Sequence, residues 1–264
     1  MNKYILKKLT GTNYYKILEL KKYFYFSKLP EKKVLSLGRN ECYLYFNNYF
    51  KFKSKRIIRK HRNYFSKSKR GYGEDPFHAM WEFLINIFKP KLVLEIGVYR
   101  GQVISLLELL ISRYTKDYEV WGISPLDNSR DSVSSYKKLN YIEDIKKNFI
   151  KFNLRQPNLI KAYSHDSKAI NFISSKNWDL IYIDGSHEYE NVKKDIDNCL
   201  PFIKSGGLIV LDDSSLYEDF NLHEEKLKYF KGHPGPSKVM QELKKSNDVR
   251  FYLGVGHNNV FIKN

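Results

Sequence analysis

The sequence predicts an α/β protein in which a doubly wound, mostly parallel sheet is covered by helices on both faces and closed by an antiparallel pair. Three observations predict it. From residue 77 short apolar runs alternate with stretches of helical periodicity, as strands joined by crossover helices do. The last two runs, "VRFYLGV" and "NVFIKN", are joined too tightly for a crossover, so they pair antiparallel. The first run ends in a glycine turn, and two later runs end in carboxylates.

Taken in order, "PFHAMWEFLINIF" spaces its apolar residues as a helix does, and "KLVLEIG" is a short buried strand ending in glycine. A helix "GQVISLLELLISRY", a strand "YEVWGIS", a helix over 141–153, a strand "NLIKAY" and a helix "SKAINFISS" follow. Then come the strand "DLIYID", the helix "NVKKDIDNCLPFI", the strand "GLIVLDD", the helix "PSKVMQELKK" and the closing hairpin. Seven strands result.

Charge divides the chain. The 264 residues carry a net charge of +17, yet residues 1–70 hold 20 Lys and Arg against 3 Asp and Glu, while residues 71–264 hold 26 of each sign. The sequence therefore predicts a basic, aromatic-rich appendage over 1–70 and a neutral domain over 71–264. Stretches such as "KKYFYFSKL" are too aromatic for a disordered tail, which predicts a small helical or mixed unit with a basic exposed end. Such a unit suits an acidic partner, although a genomic bias toward Lys and Asn produces the same composition with no function attached. Cys42 and Cys199 have no metal-ligand spacing and read as reduced thiols. No secretory signal and no run of 18 apolar residues is present, which predicts a cytoplasmic protein without a membrane span.

The motifs are three. "LEIGVYRG" ends a strand with Glu95, Gly97 and Gly101, a turn that brings backbone close to a ligand. It is neither a dinucleotide fingerprint nor a phosphate loop. "YIDGSHEYENVKKDID" places Asp184 and His187 just past a strand, with Asp195 a turn or so into the next helix. "IVLDDSS" ends another strand with Asp212 and Asp213. Each also has a structural reading: a glycine turn is common after any first strand, paired acids solvate or cap loops, and a lone histidine is usually structural.

Together these motifs resemble those of class I S-adenosylmethionine-dependent methyltransferases, over about residues 77–264. The second and third are similar to those of metal-dependent O-methyltransferases acting on sugars, of the macrolide-sugar type, and "GPSKVMQEL" with "GVGHNNVFIKN" fits that group's closing helix and hairpin. The resemblance implies a Rossmann-like sheet in which the strands carrying Glu95, Asp184 and Asp212 are neighbours, about 4.8 Å apart, so that their loops meet at the carboxyl edge. It implies S-adenosylmethionine held by Glu95, Gly97, Val98, Tyr99, Gly101 and Gln102. It also implies a divalent metal on Asp184, Asp212 and Asp213, where hard oxygen ligands favour Mg²⁺, Mn²⁺ or Ca²⁺ and Mg²⁺ is the first expectation, with His187 as the catalytic base.

The end of the second strand departs from the family, because "WGISPLDNSR" has Ser124 where an acid usually grips the ribose; either Asp127 substitutes through a longer turn or Ser124 suffices. Ser164, His165 and Asp166 are candidates for the adenine, with Asp166 or Ser167 as a helix cap the alternative. Asp195 either bonds the turn or His187, or is a helix-face acid near Lys193 and Lys194. "RGYGEDPFHAMW" reads equally as a lid or a hinge, and the long stretch from Ser214 to Pro236, with residues 1–76, is where acceptor specificity is expected.

The expected activity is transfer of a methyl group to a hydroxyl of a sugar or glycan. A nucleic acid bound through residues 1–70 is the alternative acceptor, against which no N/D-P-P-Y stretch and no Pro-Cys nucleophile is found. A non-catalytic binding domain is the third reading. Homo-oligomerisation is left open.

Overall fold

The computed structural model describes residues 31–127, 139–220 and 230–264. Expectations for residues 1–30, and for the middle of the 214–236 stretch, lie outside the described residues. Three helices, α1 (Glu31–Leu35), α2 (Arg39–Phe52) and α3 (Arg56–Phe65), precede the alternating part of the chain. That part runs α4 (Asp75–Phe88), β1 (Leu92–Ile96), α5 (Gln102–Ile111), β2 (Glu119–Ser124), α6 (Tyr141–Lys151), β3 (Asn158–Lys161), α7 (Ser167–Ser174) and β4 (Trp178–Ile183). It ends with α8 (Tyr189–Cys199), β5 (Ile203–Leu211), α9 (Pro234–Leu243), β6 (Val249–Val255) and β7 (Asn258–Lys263).

The seven strands form one sheet in the order β3-β2-β1-β4-β5-β7-β6. All pairs from β3 to β5 are parallel, and β7 is antiparallel to both β5 and β6. The fold is therefore the Rossmann-like α/β sheet that the sequence predicts. Side chains of a strand alternate between faces, and this splits the core in two. Val93, Leu180, Tyr182, Leu208 and Val210 point to one face; Leu94, Ile96, Ile181, Ile183, Ile209 and Leu211 point to the other.

The first face is covered by α4, α5 and α6 and also by the leading helices, since Val34, Cys42, Phe46, Phe50 and Ile58 belong to the same buried cluster. Burying each such side chain is worth about 1.5–3 kcal/mol, so the described part of the basic segment is docked by its apolar side. Its cations point outward: Lys51, Lys55, Arg56, Lys60, Lys67 and Lys69 are exposed. Both cysteines are buried free thiols.

One boundary differs from expectation. The helix "NVKKDIDNCLPFI" ends at Cys199, a single 3₁₀ turn spans Leu200–Phe202, and Ile203 already opens β5. Pro201 is the cause, because it has no N–H to donate and its ring crowds the preceding turn. Elsewhere local signals act as expected. Pro76 lies in the first turn of α4, Lys89 ends that helix in a left-handed conformation before Pro90, and Asn140 caps α6 by accepting the Glu143 N–H at 3.2 Å.

Candidate active site

The loops after β1, β2, β3, β4 and β5 open at the carboxyl edge of the sheet, around a cavity of 770 Å³. Its position is the one ligands take in open α/β sheets. Among the residues singled out from sequence, Glu95, Gly97, Val98, Tyr99, Gln102, Ser124 and Asp127 are on its wall, as are Ser164 and His165. Asp184, His187, Asp212 and Asp213 line the same cavity.

Gly101 and Asp166 do not. Gly101, at φ 82°, starts α5, and a Cβ there would lie 3.1 Å from the Ile145 side chain, a tight contact with α6 added to a strained backbone. Asp166 turns its carboxylate onto its own loop, accepting the Tyr163 N–H at 2.8 Å, and it occupies the N-cap position of α7 without a side-chain cap bond. Asp195 meets a different loop. It is buried on α8 at 2 % exposure, bonds Ser164 and lies near His165. Burial drives its carboxyl up to about 6 despite the Ser164 bond.

The β1 end is built by contact with β4. Gly97 has φ 98°, and a Cβ there would meet the Asp184 carbonyl oxygen at 1.9 Å, because the Asp184 N–H donates to the Ile96 oxygen at 2.8 Å. Glu95 is 3 % exposed and its Oε2 has no hydrogen-bond partner. Burial, opposed by the Ile104 N–H and reinforced by the charge of Asp212, raises its carboxyl to about 8. Gln102 accepts the Gly73 N–H at 3.0 Å through Oε1, while its buried Nε2 is unpaired. The glycine-rich segment before α4 is thus pinned over the β1 loop, where Tyr72 stacks on Tyr99 with ring centres 5.9 Å apart. A buried orphan acceptor and a buried orphan donor on one wall suit a zwitterionic ligand such as an amino-acid moiety.

The acids gather beside this turn, at the ends of β4 and β5. Asp184 and Asp212 follow the adjacent strands β4 and β5, and the Asp212 N–H donates to the Ile183 oxygen at 3.0 Å. Tyr182, held edge-on against Trp81, donates its hydroxyl to Asp184 Oδ2 at 3.1 Å. Burial, with the charges of Asp212 and Asp213 behind it, pushes the Asp184 carboxyl well above its ordinary range. Asp213 has a left-handed backbone, φ 50°, which is strained for a residue with a side chain and is found at functional sites.

Three histidines surround Asp213, and sequence reasoning found only one. His187 Nε2 lies 3.1 Å from Asp213 Oδ2, and His233 Nε2 lies 3.8 Å from the same oxygen. Their rings are stacked at 3.9 Å. The His187 turn is shaped by Ser186, whose hydroxyl accepts the Glu188 N–H and the Asn191 amide. His257 Nδ1 is 2.9 Å from Asp212 Oδ1 and 2.8 Å from Asp213 Oδ1. Burial alone would lower the pKa of His257, but the charges of Asp212 and Asp213 override it and raise it to about 10. Asp213 is held well below the carboxylate range: burial opposes this, and the imidazoles of His187 and His257 prevail.

His257 was legible only through register. β5 and β7 pair Leu208 with Ile262 and Leu211 with Asn259, and the same register continued two residues puts Asp213 opposite His257. Among the described residues, two groups bring metal-ligating atoms within 4.8 Å of one another: Asp212, Asp213 and His257, and His187, Asp213 and His233. Asp212 Oδ1 and His257 Nδ1 are buried without an aligned hydrogen bond, as donor atoms around a cation would be. The residues therefore fit a divalent metal.

Comparison with known proteins bears on the fold. Residues 94–214 match the family model described as a methyltransferase domain. A stretch of 150 residues is 31 % identical to an uncharacterized protein of Acanthamoeba polyphaga mimivirus, covering 54 % of this chain and 60 % of that protein's length. A Staphylococcus aureus structure assigned as a caffeoyl-CoA O-methyltransferase superposes with a TM-score of 0.59 at 18 % identity, covering 84 % of this chain and 98 % of that one. A Podospora anserina methyltransferase solved with S-adenosylhomocysteine superposes with a TM-score of 0.57 at 16 % identity, covering 90 % and 99 %. Residues 94–214 are thus similar to a methyltransferase domain, and the chain shares the fold of these solved methyltransferases.

Proposed function

We propose that the protein transfers a methyl group from S-adenosylmethionine to a hydroxyl of a sugar or glycan, with a divalent metal at the acceptor end. The observation that carries this reading is one cavity lined both by the Glu95–Gly97 turn and by Asp184, Asp212, Asp213 and His187. When bound, S-adenosylmethionine supplies an electrophilic sulfonium methyl, and a metal on Asp184, Asp212 and Asp213 supplies positive charge that acidifies an acceptor hydroxyl. The protein does the rest. Glu95 Oε2 and Gln102 Nε2 satisfy the cofactor's amino-acid or ribose groups. With Nε2 bonded to Asp213, His187 takes up the acceptor proton at Nδ1, and the carboxylate stabilises the imidazolium that forms. The acceptor oxygen then forms its bond to the methyl carbon as the carbon–sulfur bond breaks and its electron pair stays on sulfur. Rate comes from holding both partners in line.

The exposed cations of residues 51–69 favour one further reading, in which the basic segment holds a nucleic-acid acceptor while residues 71–264 perform the chemistry. Salt-dependent binding of an oligonucleotide, lost when those lysines are changed to glutamine, would select it. Among the described residues no helix is long and apolar enough to cross a membrane.

Calorimetric titration of S-adenosylmethionine into the protein, with Mg²⁺ and then with excess chelator, tests the main reading. Saturable binding is expected, together with methylation of a sugar acceptor that is lost in Asp184→Ala and His187→Ala. Absence of cofactor binding in both conditions refutes it.

A further inference from the structure

Proceeding from the reading of the three acids as a metal centre, we propose that His257 is a further ligand of that centre through Nδ1. The centre then selects a first-row transition ion over Mg²⁺.

The geometry is that of a coordination shell. Nδ1 stands 2.9 Å from Asp212 Oδ1 and 2.8 Å from Asp213 Oδ1, the spacing of neighbouring ligands that each lie about 2.1 Å from one ion. Neither Nδ1 nor Asp212 Oδ1 has an aligned hydrogen bond, although His257 is only 8 % exposed. Either a proton on Nδ1 bridging the two carboxylates or a cation shared by all three atoms holds such a contact together, and binding of the ion displaces that proton.

The ring is also fixed in place, as a ligand's must be. Phe77 meets it edge-on at 4.6 Å and 90°. The Ser214 N–H donates to the His257 carbonyl at 2.9 Å. Gly256, at φ 56°, carries the turn, and its carbonyl accepts Arg39 Nη1 at 3.0 Å. Arg39 bonds Ser215 and Asn259 as well, so a buried guanidinium from α2 braces both the acid loop and the His257 turn. An imidazole nitrogen suits late first-row ions, whereas Mg²⁺ favours oxygen and keeps its waters.

The test is direct. Chelator-stripped protein is titrated with Co²⁺ and, separately, with Mg²⁺, and a Mn²⁺-loaded sample is examined by pulsed EPR for coupling to a bound ¹⁴N. Wild type is expected to prefer Co²⁺ and to show the nitrogen coupling. His257→Ala and His257→Asn are expected to lose the coupling and to bind Co²⁺ roughly 100-fold more weakly, with Mg²⁺ affinity nearly unchanged and S-adenosylmethionine binding retained as proof of fold. His187→Ala and His233→Ala are expected to keep the coupling. Retained coupling and Co²⁺ affinity in both His257 variants would overturn the inference while leaving the three-acid centre intact. Failure of wild type to bind any of the ions would overturn that centre, and the inference with it.

Discussion

Replacing Glu95 with glutamine should make the protein more stable and a poorer binder of its cofactor, to an extent that pH controls. Glu95 sits on β1 between Gly122 of β2 and Tyr182 of β4, and burial raises its carboxyl from 4.5 to about 8. Between those values the folded state holds a proton that the unfolded state has released, so the stability this group contributes is full below 4.5 and declines as pH rises through 8. Each pKa unit is worth about 1.4 kcal/mol, so at pH 7 the decline has reached about 3 kcal/mol. Glutamine has no proton to lose, and its carbonyl can still accept the Ile104 N–H. Glu95→Gln should therefore melt about 6 °C above wild type at pH 7, with the two converging near pH 4.5. The assay is thermal denaturation by circular dichroism at several pH values without cofactor. Binding of S-adenosylmethionine should weaken by roughly 10- to 100-fold, the worth of one hydrogen bond to a charged group. A melting difference that does not change with pH, or that favours wild type at pH 7, would refute the reasoning.

Gly97→Ala should lower stability by several kcal/mol and abolish cofactor binding, since a Cβ would lie 1.9 Å from the Asp184 oxygen and the backbone strain adds about 1–2 kcal/mol; urea denaturation and calorimetry check it. Arg39→Ala removes bonds to Ser215, Gly256 and Asn259 while Glu218 keeps Lys244, and the cost should be roughly 1–3 kcal/mol, measurable as a lower urea midpoint. Asp195→Asn should stabilise the protein at pH 7.5 and have little effect at pH 4. The reason is that the Asp195 carboxyl, raised to about 6, erodes stability as pH rises through that value; equal urea midpoints at pH 7.5 would contradict it.

The order of strands and helices was legible because apolar alternation and helical periodicity report burial residue by residue, and burial of Val93 on one face and Leu94 on the other is a local consequence of strand geometry. Gly97 was legible because a glycine after a first strand signals a turn that side chains obstruct; the obstructing atom proved to be the Asp184 carbonyl oxygen. Asp195 was not legible: its neighbours in sequence are lysines, and its neighbours in space are Ser164 and His165, which arrive on another loop.

The sequence by itself determined the α/β sheet, its closing hairpin, the glycine turn with Glu95, and the acids at the ends of β4 and β5, because each follows from short-range patterns of polarity and backbone freedom. Only the tertiary structure decided which groups share a site. His233 and His257 lie 20 and 44 positions after Asp213 in the chain, and the pairing of β5 with β7 places the second within 2.8 Å of it. Contact across strands depends on register, and register is set by the whole sheet and its two buried faces, which no stretch of neighbouring residues encodes.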